Sequence, residues 1–247
     1  MSQILAIVRH TALEALRARS LLWALLTLII LFALSLFLRE LALTDSQRLQ
    51  TTFLAATSRL ACALVTAALI IGAVVREFNE QGHLLLLSLP LPRTRYLLGK
   101  FLGFAAVALV LALASGFLLA LNAPPALVLG WSVSLLLELG IVAAMAVFAA
   151  FSLRQWLPAL LLTLGFYLLA RSIGGLQLLA HAAATGTPWL ATLTDAVAWL
   201  LPRLDGFAAS ARLLGETGGL AAALVQSLLY CALLLTAAAV DVTRRDL

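Results

Sequence analysis

The stretch Val128–Leu153 reads VLGWSVSLLLELGIVAAMAVFAAFSL and contains a single charged residue, Glu138. A helix of about 20 apolar residues is long enough to cross the hydrocarbon core of a bilayer. Spanning segments are helical because hydrocarbon offers no partner for an exposed backbone N–H or C=O group. The stretch therefore predicts a transmembrane helix.

The same pattern recurs along the rest of the chain. Apolar residues make up 64% of the 247 residues and charged residues only 11%, against about a quarter in soluble domains. Further runs predict spans at 21–38, 53–75, 101–121, 157–184 and 218–240, together with 128–153. We therefore expect an all-α polytopic membrane protein in which residues 1–247 form one transmembrane domain of six helices.

The basic residues follow the ends of these spans. An even number of spans places both termini on one side of the membrane, and ten of the 16 basic residues fall on that side. They are Arg9, Arg17, Arg19, Arg76, Arg93, Arg95, Lys100, Arg154, Arg244 and Arg245. The positive-inside bias predicts that both termini are cytoplasmic. Basic residues distributed in this way do not form the clustered face of a nucleic-acid-binding protein.

Two segments outside the spans are predicted to lie on the membrane surface. The first twenty residues place Gln3, His10, Glu14 and Arg17 on one helical face, which indicates an amphipathic N-terminal elbow helix. Residues 185–217 precede the last span and have apolar residues at helical spacing. They predict one or two short outer helices, broken at Pro202 and Gly206.

Residues 76–100, REFNEQGHLLLLSLPLPRTRYLLGK, connect the second and third spans. The apolar run is too short to cross a bilayer and stops at Pro90 and Pro92. We expect a short helix along the inner surface, with Glu77, Asn79 and Glu80 available to a cytoplasmic partner. The alternative is an ordinary basic inner loop whose leucines rest against the bilayer.

This segment resembles the coupling helix of the membrane subunits of type 2 ATP-binding-cassette exporters. Their pattern is R-E-x-E-x-G-T-x-x-x-L-L-S-x-P-[IL]-x-R-x-x-x-L-G-K. Residues of the same types occur here in the same order, with differences of one residue in spacing at three places: Arg76, Glu77, Glu80, Gly82, Leu86, Leu87, Ser88, Pro90, Arg93, Leu98, Gly99 and Lys100. His83 stands where the family has threonine. Among these exporters the chain looks most like the permeases tied to copper-enzyme maturation, and next like those of cytochrome c biogenesis.

The resemblance implies a homodimer in the bacterial inner membrane, with a separate cytoplasmic ATPase subunit docked beneath each copy. It implies that the coupling contacts come from Arg76, Glu77, Glu80, Gly82, His83, Ser88, Pro90 and Arg93, and it leaves room for a periplasmic accessory protein. ATP and magnesium are expected on the ATPase subunit, so this chain itself is expected to hold no cofactor and to catalyse no reaction. Its Gly99-Lys100 pair lacks the earlier glycine and following hydroxyl of a phosphate-binding loop.

Glu138 is predicted to lie deep in the membrane, where an ionised side chain must be paired, protonated or in contact with water. It is fifteen residues before Leu153, and Arg171 is fifteen residues after Trp156, so both lie roughly 22 Å above the inner turn at about 1.5 Å per residue. Arg59, on the second span, lies at a similar depth. We therefore expect Glu138 to pair with Arg171 or with Arg59, either as a structural lock or as a gate or cargo contact.

Two other classes of function remain as alternatives. A secondary transporter would use Glu138 as a proton carrier, and a membrane-embedded lipid-modifying enzyme would need grouped acids, histidines or a nucleophile. Cys62 and Cys231 lie in apolar runs, and the three histidines, His10, His83 and His181, are scattered without metal-ligand spacing. The sequence thus predicts no catalytic or metal site.

Small and aromatic residues add expectations about the helices. Gly99 and Gly103 predict a flat helix face for close packing, and Gly174-Gly175 predicts a break or hinge in the fifth span, whose outer end is either straight or re-entrant. The tryptophans near span ends, among them Trp131, are interpreted as interfacial anchors.

Overall fold

The computed structural model describes residues 2–17, 19–41, 45–79, 93–182, 188–208 and 220–244. Within these ranges the chain forms eight α-helices and one short 3-10 helix, and it has no β-strand. The helices are α1 (Ser2–Arg17), α2 (Arg19–Leu41), α3 (Ser46–Asn79), α4 (Arg93–Ala120), α5 (Pro125–Leu153), α6 (Trp156–Ala182), α7 (Pro188–Leu200) and α8 (Leu220–Arg244).

Six of these helices, namely α2, α3, α4, α5, α6 and α8, are long and apolar enough to cross a membrane. The predicted all-α polytopic architecture is therefore confirmed. The helices extend beyond the predicted spans: α3 covers 46–79 where 53–75 was expected, and α4 starts at Arg93 where 101 was expected. At these helix ends the backbone stays helical beyond the apolar run, through polar residues near the interface.

Contacts between helix ends define the two ends of the bundle. The end where α3 stops and α4 starts is called the base, and the opposite end the rim. At the base, Ser152 near the end of α5 donates a hydrogen bond to Asp241 near the end of α8 (2.7 Å). At the rim, Gln47 near the start of α3 donates to the carbonyl of Asn122 in the α4–α5 turn (3.1 Å). The spanning helices therefore alternate in direction from α2 to α6.

Helix α5 is the centre of the bundle and packs against α3, α4, α6 and α8. Its base half is rich in alanine, and Ala143, Ala144 and Ala146 are fully buried. Small side chains let neighbouring backbones approach closely, which is how helices gain packing energy in lipid. The central helix thus brings together side chains of two of these neighbours, α3 and α6, around Glu138.

Helix α1 packs on the base end of α4, at the two glycines that predicted a flat face. A Cβ atom on Gly99 would lie 2.8 Å from Cγ2 of Ile7, and one on Gly103 would lie 2.6 Å from Cβ of Thr11. Both distances are too short for real side chains. Close packing at these glycines is confirmed, and the partner is the N-terminal helix of the same chain.

We expect Gly103→Val to weaken the packing of α1 on α4, because the new side chain has to displace Thr11 and the carbonyl of Val8. Overpacking of this kind costs about 1–3 kcal/mol. The measurement is the rate of trypsin cleavage at the exposed arginines Arg17 and Arg19, which should rise as α1 detaches. Gly130→Val is the matched control, since a Cβ there meets nothing within 4 Å. Equal cleavage rates in the two variants would contradict the assignment.

The structure of α6 at its rim end differs from one expectation. The helix runs without interruption from Trp156 to Ala182, so the predicted break at Gly174-Gly175 and the re-entrant alternative are both wrong. Gly174 instead makes room for Asp205, whose Oδ2 lies 2.0 Å from the position of a Cβ on that glycine. Of the predicted segment 185–217, the structure describes 188–208, which form α7 and the 3-10 helix Gly206–Ala208, separated by non-helical residues around Pro202. The rest of that segment lies outside the described residues.

Candidate functional site

A charge cluster lies in the middle of the bundle, where Glu138 of α5 meets two arginines. Arg59 of α3 donates from Nη1 to Oε2 of Glu138 (2.5 Å). Arg171 of α6 donates from Nη1 to Oε1 (2.9 Å). Tyr167 of α6 donates its hydroxyl to the same Oε1 (3.0 Å). Both carboxylate oxygens are therefore engaged, and the two arginines that the sequence offered as alternatives both contact Glu138.

The Arg59 guanidinium has further partners on α5. Its Nη2 donates to Oγ of Ser134 (2.5 Å) and to the carbonyl of Trp131 (3.3 Å). Its Cζ lies 4.8 Å from the centroid of the Trp131 ring. Trp131 is only 1% exposed, so its interpretation as an interfacial anchor is wrong. A buried cation with hydrogen bonds and an aromatic face loses less on desolvation than a bare one.

The cluster connects three helices at one depth. Arg59, Glu138 and Arg171 come from α3, α5 and α6, and charge-assisted hydrogen bonds in a water-poor interior are stronger than neutral ones. Since Glu138 is completely buried, the carboxylate depends on these partners for its stability. The geometry fixes the relative rotation and height of the three helices.

The charges of the cluster do not cancel, because two arginines surround one glutamate. Arg59 and Glu138 are inaccessible, whereas the Arg171 side chain is 23% exposed. The excess positive charge is therefore carried on the side of the cluster that opens away from the bundle core. Among the charged members of this cluster, Arg171 is thus the one whose side chain is partly exposed.

A second set of charges joins the ends of α3 and α4 at the base. Nζ of Lys100 lies 2.6 Å from Oε2 of Glu77, and the hydroxyl of Tyr96 donates to Oε1 of Glu77 (2.6 Å). Lys100 is buried. Both oxygens of Glu77 are therefore engaged within the chain, and 22% of its side chain stays exposed, so its availability to a cytoplasmic partner stays a prediction.

Arg76 contacts the N-terminal helix, with its Nη2 3.2 Å from Oε1 of Glu14. Arg76 and Glu77 belong to the last turn of α3, and Arg93 is the first residue of α4, so these parts of the predicted coupling segment extend the spans. The other predicted coupling residues lie outside the described part of the chain. They are Glu80, Gly82, His83, Ser88 and Pro90.

The chain matches no protein-family model and no curated protein.

Neither a metal centre nor a disulfide occurs in the described ranges. No group of three or more His, Cys, Asp or Glu side chains there is arranged to hold a metal ion. Cys62 and Cys231 are free thiols on different helices. His181 contacts Asp195 at the rim, with Nε2 3.3 Å from Oδ1, and Gln177 donates to the same oxygen (2.8 Å). This polar group joins α6 to α7.

Sequence reasoning missed Tyr167, Ser134 and the structural role of Trp131. A signal for all three was present, since residues three, four or seven apart share one face of a helix. Tyr167 precedes Arg171 by four positions, and Ser134 and Trp131 precede Glu138 by four and seven. Collecting polar and aromatic residues on the face of each intramembrane charge would have identified them.

Proposed function

We propose that this chain is the membrane subunit of an ATP-binding-cassette exporter, working as a homodimer with a separate ATPase subunit docked at the base of each copy. In this proposal the base faces the cytoplasm of a bacterial cell, and ATP and magnesium are bound by the ATPase. The proposal begins with the coupling pattern at residues 76–100, whose residues, order and place between the second and third spans agree with that family.

The observation that carries the proposal is how the two ends of this segment are held. Glu77 on α3 and the buried Lys100 on α4 form a short ion pair, and Tyr96 of α4 donates its hydroxyl to Glu77. The phenyl rings of Phe78 and Phe151 pack edge to face, with 5.3 Å between their centroids. This contact joins the base end of α5 to α3. A partner that pushes on residues 80–92 would therefore move the base ends of α3 and α4 together.

Helix α1 would follow the same movement. It packs on α4 at Gly99 and Gly103 and contacts α3 through the Glu14 and Arg76 pair. Force applied between α3 and α4 is thus passed to the helix that leads into the first span. Residues 80–92 suit ATPase docking because α3 and α4, the two helices that they connect, are packed together at the base. A surface loop without a partner would not need its flanking helices to be joined in this way.

The central charge cluster is assigned the role of a lock that keeps α3, α5 and α6 in register during this movement. A secondary transporter that uses Glu138 as a proton carrier is less well supported. Both oxygens of Glu138 accept hydrogen bonds from three side chains, and none of the residue is exposed to water. A carrier needs alternating access to water, which this arrangement withholds.

Glu80→Arg tests docking at the base. We expect the substitution to reduce ATPase retention at least about tenfold, because a like-charge contact in a docking surface costs several kcal/mol. The measurement is co-purification of the candidate ATPase subunits of the same organism, co-expressed and captured through a tag on this chain.

Glu40→Arg provides the matched control, since it makes the same charge change at the exposed rim end of α2. It should leave retention unchanged. Unaltered retention in Glu80→Arg, or no ATPase bound to the wild-type chain under any condition, would count against the proposal. Loss of retention in Glu40→Arg as well would indicate that the assay reports charge and not docking.

A further inference from the structure

A cavity of about 380 Å³ lies between α1, α2, α3 and α4 in the base half of the bundle. Its inner walls are apolar and include Ala24, Leu69, Ala73 and Phe104. Trp23 forms part of the wall and is 68% exposed, so the cavity opens toward the outside of the bundle. At this height the outside of a membrane-spanning bundle is lipid.

Water is a poor occupant of the apolar inner part of this space. A cavity of roughly 150 Å³ with apolar walls stays dry and accepts a hydrocarbon ligand. This cavity is larger, and an empty space of that size would forfeit dispersion contacts along every wall. A flexible hydrocarbon chain entering from the bilayer fills it without any need for polar partners inside.

The mouth of the cavity at the base carries one charge of each sign. Glu14 and Arg76 both line it, and their side chains are 43% and 56% exposed, so each has free surface beyond its contact with the other. Thr11 and Ser20 add hydroxyl groups to the lining. An occupant with an apolar tail and a headgroup bearing both signs of charge matches these features together.

We propose that a zwitterionic phospholipid with a primary ammonium occupies this cavity, with one acyl chain between α2 and α3, its phosphate at Arg76 and its ammonium at Glu14. An anionic phospholipid fits less well. Its phosphate would lie beside the Glu14 carboxylate, which is only 3.2 Å from the arginine it needs, with no ammonium to offset the repulsion.

The lipid would act as part of the fold. It fills the space behind α1, the helix that packs on α4 and contacts α3, and so supports the position of α1 from the membrane side. This inference is independent of the proposed export function, because it concerns binding to the cavity and is measured without transport or ATP hydrolysis.

The test is native mass spectrometry of the full chain in mild detergent, titrated with 1-palmitoyl-2-oleoyl phosphatidylethanolamine or the corresponding phosphatidylglycerol. We expect the wild-type chain to retain phosphatidylethanolamine in preference to phosphatidylglycerol. Ala73→Phe fills the cavity from α3 and should reduce retention at least about tenfold. Ala33→Phe, the same change at an exposed position of α2, should have no effect.

Two changes that remove a charge keep the test decisive if Ala73→Phe does not fold. Arg76→Gln should reduce retention of both lipids about tenfold, as expected for losing a charged hydrogen-bond partner. Glu14→Gln should remove the preference for phosphatidylethanolamine. The proposal is overturned if the wild type retains no phospholipid, if Ala73→Phe and Ala33→Phe behave alike, or if phosphatidylglycerol binds more tightly to the wild type.

Discussion

Replacing Glu138 with glutamine is expected to be the most damaging single change in the protein. The substitution keeps the size of the side chain but leaves Arg59 and Arg171 facing each other in the bundle without a counter-charge. Breaking a buried ion pair by removing one partner costs about 3–5 kcal/mol, which is a large part of the stability of most proteins. We expect little of the Glu138→Gln chain to survive extraction as a folded, monodisperse protein.

The three members of the cluster should respond unequally. Arg59→Met leaves Glu138 with Arg171 and Tyr167, a pair whose charges cancel, so its cost should be much smaller than that of Glu138→Gln. Adding Arg59→Met to Glu138→Gln removes the buried, unpaired cation and should recover most of the lost stability. The measurement is the midpoint of thermal unfolding in detergent for the two single variants and the double variant.

The cluster also changes what a charge exchange is expected to do. With a single pair, exchanging the charges of Glu138 and Arg171 would restore folding. Here an arginine at 138 would lie against Arg59, so the exchange should fail. Successful rescue by the exchange, or equal damage from Glu138→Gln and Arg59→Met, would show that Arg59 does not share the carboxylate.

Glu77→Gln is expected to have the second largest effect, centred on the base. Lys100 is buried and has Glu77 at 2.6 Å as its ionic partner, so the variant leaves an ammonium group desolvated without a counter-charge. We expect a loss of a few kcal/mol, measured as a lower unfolding midpoint. Tyr96→Phe removes only a hydrogen bond from the same carboxylate and should cost about 1–3 kcal/mol.

The double variant Glu77→Gln with Lys100→Met separates an internal role of Glu77 from a role in docking. It removes both charges, so the unfolding midpoint should return toward that of the wild type. If Glu77 acts within the chain, this variant should also retain the ATPase that the wild type retains. A stable double variant that has lost only ATPase binding would instead place Glu77 in direct contact with the partner.

Counting residues from a predicted turn was enough to place the central charges at one height. Helical rise is constant, so Glu138 and Arg171 at equal distance from the same turn had to lie at the same depth. Counting gave no information on rotation about the helix axes. Whether Arg59, Arg171 or both reach the carboxylate depends on which faces of α3, α5 and α6 meet, and only the packed bundle shows that both do.

Glu77 illustrates a different gap. Glu77 lies in a segment between two predicted spans, and this position predicted an accessible side chain. A sequence pattern shows which residues are neighbours along the chain, but not which residues of different helices are in contact. Lys100 is far away in sequence, and the contact forms only because α3 and α4 converge at the base. The N-terminal helix is a similar case, since its amphipathic pattern predicted a surface position and the glycines of α4 determined where it packs.

The existence of six spans and the helical state of each were determined by the sequence alone. The reason is physical: hydrocarbon leaves a backbone one way to satisfy its polar groups within a single segment, and a bilayer sets the length required. Tertiary structure decided which helix faces meet. A helix such as α5 that is apolar on every side carries no period to indicate its orientation, so close packing at small residues and the pairing of buried charges decide it.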